Sequence, residues 1–333
     1  MRGMYDVHPM RAFSRTGPGM SVLPIDSLET PRFAGVPTFM RLAQATTLTG
    51  LDGVVLGLPS DSGSPYRTGA RFGVNAVRAM SVMLRPINPY RGGINVFERL
   101  SLADAGDAAV VPGYQEETLE RLEASVAAVV EAGVMPFCLG GDHSVSLPAL
   151  RALAKRHGPL ALIQFDSHSD TWDKYFAGKR YSAGTPFRRA VEEGLVAPEH
   201  SIQIGLRGSL FQPHDISQSL DLGYEVVTTD DMFAIGLPAL ADRIAARAAG
   251  RPAYLTFDMD FCDPSAAPGV QTPEAGGPTA RETLTLLRLL KDIDLVACDV
   301  VEVNPLFDGP GQITALLAAT VMAELMALKA STR

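Results

Sequence analysis

Apolar residues come along this chain in short solid runs, separated by longer stretches where they recur every three or four positions. Val54, Val55, Leu56 and Leu58, bounded by Gly and Pro, form the first run and predict a strand over Asp52–Pro59. Similar runs predict strands at Val134–Leu139, Leu160–Phe165, Ser201–Leu206, Glu225–Thr228, Ala253–Asp258 and Asp294–Val301. Such nearly all-apolar strands belong to a parallel sheet covered on both faces. The intervening stretches have helical period. Gln115–Gly133 places Leu119, Leu122, Val126 and Val129–Val130 on one stripe and stops at Gly133. Ser144 suits the N-cap of a helix over Val145–His157, which Gly158 ends. Further helices are expected near Val74 and at Pro186–Glu193, Leu237–Ala249, Ala280–Asp292 and Ile313–Ala330. This alternation predicts an α/β fold with a parallel sheet between helices, where ligands gather at the carboxyl ends of strands.

Residues 1–50 lack a clear period and are rich in Pro, Gly and Ser. They read as an extended N-terminal arm with one short helix at Thr38–Gln44, of the kind that packs on a neighbouring subunit. Met1–Met20 carries Arg, Asp and His and is expected to be neither signal peptide nor anchor. No repeat or linker divides the remainder, so residues 51–333 are expected to form one domain. No apolar run looks long enough to span a bilayer.

Composition narrows the partners. The net charge is −8 without a basic run, which disfavours nucleic acid and anionic lipid surfaces. Cys138, Cys262 and Cys298 are odd in number and match no metal-ligand spacing; they read as structural thiols in a reducing cytoplasm.

The chemistry sits where strands end. Gly140-Gly-Asp-His-Ser144 follows one strand, Asp166-Ser-His-Ser-Asp170 the next, and Asp258-Met-Asp260 closes a third. A spacing of two at a strand exit turns Asp166, His168 and Asp170 to one face, and likewise Asp258 and Asp260. His143 follows two glycines that allow a tight turn. Taken singly, each motif also fits a capped turn. Together, two imidazoles and four carboxylates suit hard divalent metals. The four negative charges balance two divalent cations; without them the acids would repel strongly.

These motifs resemble the ureohydrolase family, which includes arginase, agmatinase and guanidinobutyrase. Gly184-Thr-Pro-Phe187, Asp263-Pro264, Pro268-Gly269, Thr272-Pro-Glu274, Val301-Glu-Val-Asn-Pro305 and Ile313-Thr-Ala315 add to the match, which runs from about Gly57 to Ala330. Gln203-Ile-Gly-Leu-Arg-Gly208 places it on the agmatinase and guanidinobutyrase side. The resemblance implies a three-layer α/β/α fold around a parallel sheet of about eight strands, assembled as homo- or hetero-trimers or hexamers. It implies two metal ions, manganese or nickel, with His143 and Asp170 on one, His168 and Asp260 on the other, and Asp166 and Asp258 bridging. It further implies that metal-bound hydroxide cleaves a C–N bond of a guanidino acid or amine, giving urea and an amine. Asp170 and Glu302 are the catalytic residues so implied, Glu302 near the guanidinium. Ala183, Gly184, Val270, Gln271, Glu302 and Arg207 are expected at the substrate.

The chain departs from the family pattern at three places. Ala183 stands where most members carry a proton-shuttling histidine, Val270-Gln271 where Thr-Gly is usual, and Val74 where proline is common. An alanine there fits an installed substitution that traps substrate, an adaptation to another substrate, or a weakly active subunit of a mixed assembly. Some relatives hydrolyse the biguanide metformin to guanylurea and dimethylamine as paired chains, and the missing histidine would make room for its methyl groups. A non-catalytic subunit, or a deacetylase of related fold, are the competing classes; the latter uses one zinc and tandem histidines, absent here.

Other residues carry two readings. Arg67, Arg71 and Arg78 either hold a substrate carboxylate at the pocket mouth or pair with structural acids. Asp61 belongs to a turn or to a loop over the site, and Trp172 to the pocket wall or the core.

Overall fold

The computed structural model describes residues 23–212 and 214–332. Eight strands form its main sheet: β1 (Gly53–Leu58), β2 (Leu102–Asp107), β3 (Met135–Gly140), β4 (Ala161–Phe165), β5 (Ile202–Leu206), β6 (Glu225–Thr228), β7 (Ala253–Asp258) and β8 (Leu295–Val301). All pairings are parallel, in the order β2-β1-β3-β8-β7-β4-β5-β6. Alternate side chains of one strand feed two separate cores. Val54, Leu56 and Leu58 of β1 join the core shared with Leu122, Leu150 and Phe187, whereas Val55 joins that of Val77, Leu240, Leu286 and Leu325. Helices Gln115–Glu131, Ser146–His157 and Pro186–Glu192 thus cover one face. Helices Gly73–Ser81, Leu237–Ala248, Ala280–Leu289 and Ile313–Ala330 cover the other. The result is the three-layer arrangement expected.

Seven strands lie where the apolar runs place them. The eighth, β2, is concealed in sequence because Leu-Ala-Asp-Ala-Gly-Asp carries two acids and a glycine. It is an edge strand, and its buried Asp104 is held by Arg78 through Nε and Nη2, each at 2.9 Å. A bidentate pair of this kind satisfies the buried charge, so burial here follows pairing rather than hydrophobicity.

Two expectations need correcting. The helix foreseen at Thr38–Gln44 is a single 3₁₀ turn, Phe39–Arg41. Its amides are claimed by distant groups: Asp104 accepts from the Phe39 N–H at 2.8 Å, and the Ser81 hydroxyl from the Met40 N–H at 2.7 Å. The chain then runs beside the outer edge of β2, where the Ala45 and Asp104 N–H groups donate to the Asp104 and Ala43 carbonyls. Arm residues 1–22 lie outside the described residues. Helix Ile313–Ala330, contrary to the expectation for apolar runs, is long and apolar enough to cross a bilayer by length and composition. Here 72% of that window is buried, with Leu325 and Met326 in the core.

Candidate metal centre

Four central strands, β3, β8, β7 and β4, lie side by side, and each ends in one of the polar motifs. The chain leaves β3 and re-enters the sheet at β4 three places away, which opens a crevice above these ends. At the foot of β3, a Cβ on Gly141 would fall 1.7 Å from the Ser60 carbonyl oxygen, so only glycine fits there. The turn that follows, His143–Val145, is capped by Asp142, which accepts from the Ser144 N–H at 3.0 Å, whereas the helix Ser146–His157 starts after Val145 with no side-chain cap, so Ser144 does not fill the place expected of it.

His143 is buried, and its Nδ1 lies 3.0 Å from Asp166, 2.9 Å from Asp170 and 3.2 Å from Asp258. That nitrogen nonetheless makes a hydrogen bond to none of them. Its Nε2 meets the Thr256 hydroxyl at 2.8 Å, which fixes the ring. His143, Asp166, Asp170 and Asp258 converge so that their candidate ligand atoms lie within 4.8 Å of one another. Asp166, His168 and Asp260 form a second such group. Asp166 belongs to both. Asp260 lies 3.0 Å from His168 Nδ1 and is anchored by the Ser167 hydroxyl and N–H at 2.7 and 3.1 Å.

Electrostatics strain this cluster. Burial, with the charges of Asp170 and Asp260, pushes the Asp166 carboxyl up to about 7. Burial and the neighbouring acids Asp260 and Asp166 raise Asp258 well above the carboxylate range. Burial works the other way on both imidazoles, yet the surrounding carboxylates hold His143 and His168 well above their ordinary value. Asp260, despite its burial, is pulled low by the His168 ring beside it. Crowded acids that resist ionising, and an orphaned ring nitrogen among their oxygens, are what divalent cations would relieve. The donors fit such ions in type, nitrogen and carboxylate oxygen.

Two residues of the site also carry backbone strain. Asp170 (φ 50°) and Glu302 (φ 66°) occupy the left-handed region, at a typical cost of about 1–3 kcal/mol each. The Phe187 N–H donates to the Asp170 carbonyl at 3.1 Å, and the Glu302 N–H to that of Gly141 at 2.8 Å. These bonds fix where the two carboxylates stand.

Above the cluster opens a cavity of about 610 Å³. Ala183, Gly184, Gln271 and Glu302 line it with His168, Asp170, Asp258 and Asp260. Val270, expected at the substrate, is fully buried and does not line it. Trp172 walls it, packed against Tyr175 and Phe211 at 5.7 and 5.6 Å between ring centroids. Arg207 borders the cavity, but its guanidinium donates to the carbonyls of Gly205, Asp260, Phe261, Cys262 and Glu274. With its N–H groups so engaged, it ties the strand-end loops together instead of meeting a substrate. Arg71 pairs with Asp61, which also accepts from the Gly69 N–H, so both belong to a structural turn. Arg78 pairs with Asp104 and Asp107. The three cysteines are free and buried.

The supporting roles of several residues escaped sequence reasoning. Gln164 donates to Asp166 at 2.7 Å, and Gln203 donates to Gln164 and to the Ser169 carbonyl at 2.6 and 2.7 Å. Thr256 sits beneath His143. Gln164 and Thr256 each stand two residues before a cluster aspartate in an otherwise apolar strand. That spacing alone signals a polar residue on the site's face.

Comparison with known proteins bears on these features. The Arginase family matches residues 51–328. The chain is 44% identical to guanidinopropionase of Pseudomonas aeruginosa over 308 residues, 92% of this chain and 96% of that protein. It is 39% identical to guanidinobutyrase of the same organism over 306 residues, 91% of this chain and 95% of that protein. The solved structure of proclavaminate amidinohydrolase from Streptomyces clavuligerus superposes with a TM-score of 0.87 at 39% identity. That match covers 91% of this chain and all of the other.

Proposed function

The chain belongs to the arginase family and is an enzyme acting on C–N bonds other than peptide bonds, and from that premise we propose that it hydrolyses a small guanidino compound to urea and an amine. The supporting observation is the convergence of two histidines and four aspartates, all buried but the half-buried His168, beneath the cavity that also holds Glu302. His143 and Asp170 would hold one cation and His168 and Asp260 the other, with Asp166 and Asp258 between; the ions are manganese or nickel. When bound, they supply the Lewis acidity that brings the pKa of water towards neutrality.

The chain's own groups direct the rest. Glu302 receives the guanidinium and offsets its charge. Asp170 takes the proton of the attacking water. The bond from the guanidinium carbon to its substituted nitrogen breaks, oxygen stays on carbon, and the amine leaves with the proton that Asp170 took. Ala183 offers no proton, so turnover is expected to be about 10²–10⁴-fold slower than with a histidine at that position. We place the enzyme in the cytoplasm, as a trimer or hexamer.

Arg67 favours an acid over an amine as substrate. It lines the cavity mouth, 4.7 Å above the Phe307 ring, and pairs with no carboxylate among the described residues. Of the other acids on the wall, Asp215 accepts from the Gln212 N–H at 2.8 Å and Glu274 lies 3.9 Å from His168. Arg67→Ala is expected to raise KM for 3-guanidinopropanoate about tenfold and leave agmatine unchanged, since a bond to a charged group contributes about 1.5–3 kcal/mol. Equal effects on both substrates would remove Arg67 from this role.

A second reading, an N-alkylated biguanide, draws on the space left by Ala183 beside the aromatic wall of Trp172, Tyr175 and Phe211, which suits an alkylated cation. Turnover with manganese and with nickel decides between them, on guanidinopropanoate, guanidinobutyrate, agmatine, arginine, guanidine and metformin. Urea from a guanidino acid supports the first reading. Dimethylamine and guanylurea from metformin establish the second. Silence across the panel with metal bound defeats both for the chain alone and points to a partner chain.

A further inference from the structure

Gln271 is buried, 2% exposed, and its amide nitrogen donates to both carboxylate oxygens of Glu302, at 3.1 and 3.2 Å. One –NH₂ group facing two oxygens of one carboxylate resembles the approach of a guanidinium arm to the same acceptor. Glu302 Oε1 also accepts from the His143 N–H at 2.8 Å. With its backbone fixed in the left-handed region and hydrogen-bonded to Gly141, Glu302 has little freedom to meet a ligand elsewhere. The far end of the amide is held more loosely: Gln271 Oε1 meets the Tyr66 N–H only at 3.5 Å, the limit of a hydrogen bond. The glutamine is therefore the partner that gives way.

We propose that Gln271 is a built-in competitor for the guanidinium subsite. Its amide caps Glu302 in the free enzyme and turns aside on binding, which weakens the affinity for unsubstituted guanidinium groups. This rests on the reading of Glu302 given above. A substrate that makes additional contacts along the cavity overcomes the competition; the bare ion does not. Gln271 thus acts at the acceptor instead of at the substrate tail, at a cost common to every guanidinium ligand.

The test is a double-mutant cycle, read as binding of guanidinium chloride to the manganese-loaded enzyme by calorimetry at constant ionic strength. Gln271→Ala is expected to tighten binding about tenfold, because a hydrogen bond to a charged acceptor no longer has to be broken. Gln271→Met, which keeps the volume but lacks the amide, is expected to do the same. The gain should vanish in the Glu302→Ala background. Unchanged or weaker binding in both Gln271 variants, or a gain that persists without Glu302, overturns the proposal. Glu302→Ala alone speaks to the premise: full affinity for guanidinium in that variant removes Glu302 as the acceptor, whatever Gln271 does.

Discussion

Replacing Asp166 by alanine is expected to lower kcat by more than about 10³-fold and to deplete the protein of metal at both positions. Asp166 is the aspartate that stands in both ligand groups, so its loss leaves each incomplete. A metal's contribution of several kcal/mol to the transition state, at 1.36 kcal/mol per factor of ten, sets that magnitude. The same carboxylate accepts from Gln164 at 2.7 Å and from the His168 N–H at 2.7 Å, so its removal also frees the loop that carries His168 and Asp170. Metal analysis beside steady-state kinetics checks both effects. A variant that keeps two ions per chain and a kcat within tenfold would refute the proposed centre.

The second large effect concerns the metal-free protein. With chelator present, stability is expected to fall as pH rises from about 4 to 7, and added manganese or nickel should abolish that slope. The Asp166 carboxyl is held at about 7 in the folded chain, against roughly 3.9 unfolded. A raised acid binds its proton more tightly when folded, so stability declines as pH climbs through the interval between the two values. Three units correspond to about 4 kcal/mol, or roughly 5 °C in Tm for a chain of this length. Asp258 and Glu302, raised by burial and neighbouring acids, act in the same direction. So do His143 and His168: their raised values confer stability below about 6.5 that is lost on deprotonation. Asp260, held low, matters only in stronger acid. Bound cations would take over the compensating charge and keep the acids ionised. A flat Tm in chelator would mean that the cluster is not strained as described.

What could be read from the sequence followed burial. β1, β3, β4 and β7 are buried on both faces, which produces largely apolar runs, and cluster ligands follow at the ends of β3, β4 and β7. β2 resisted because its inward acid is matched by Arg78, 26 residues away in sequence, and no local pattern records such a partner. The same holds within the site. Spacing by two placed Asp166, His168 and Asp170 on one face. It could not say that Gln271 reaches Glu302, 31 residues on, or that Arg207 turns to the carbonyls of Asp260 and Glu274. Arginine near a motif reads as a ligand in sequence, whereas its orientation is fixed by loops folded together afterwards. The arm misled for a related reason: its amides are held by Asp104 and Ser81, which overrides local helical preference.

The segment at Ala43–Ala45 has a bearing on solubility. A parallel sheet ends in a row of unsatisfied amides and carbonyls, an open template for another chain. At β2 this segment occupies part of that row, bridging Gln44 to Asp104, while Phe39 and Leu42 anchor it in the interior. A truncation starting at residue 51, where the family match begins, would leave every cluster ligand in place and still uncover the border. Such a fragment is expected to self-associate through strand-to-strand contact, visible by light scattering as concentration rises. The arm thus serves as a selvedge, finishing the fabric where it would otherwise fray into its neighbours.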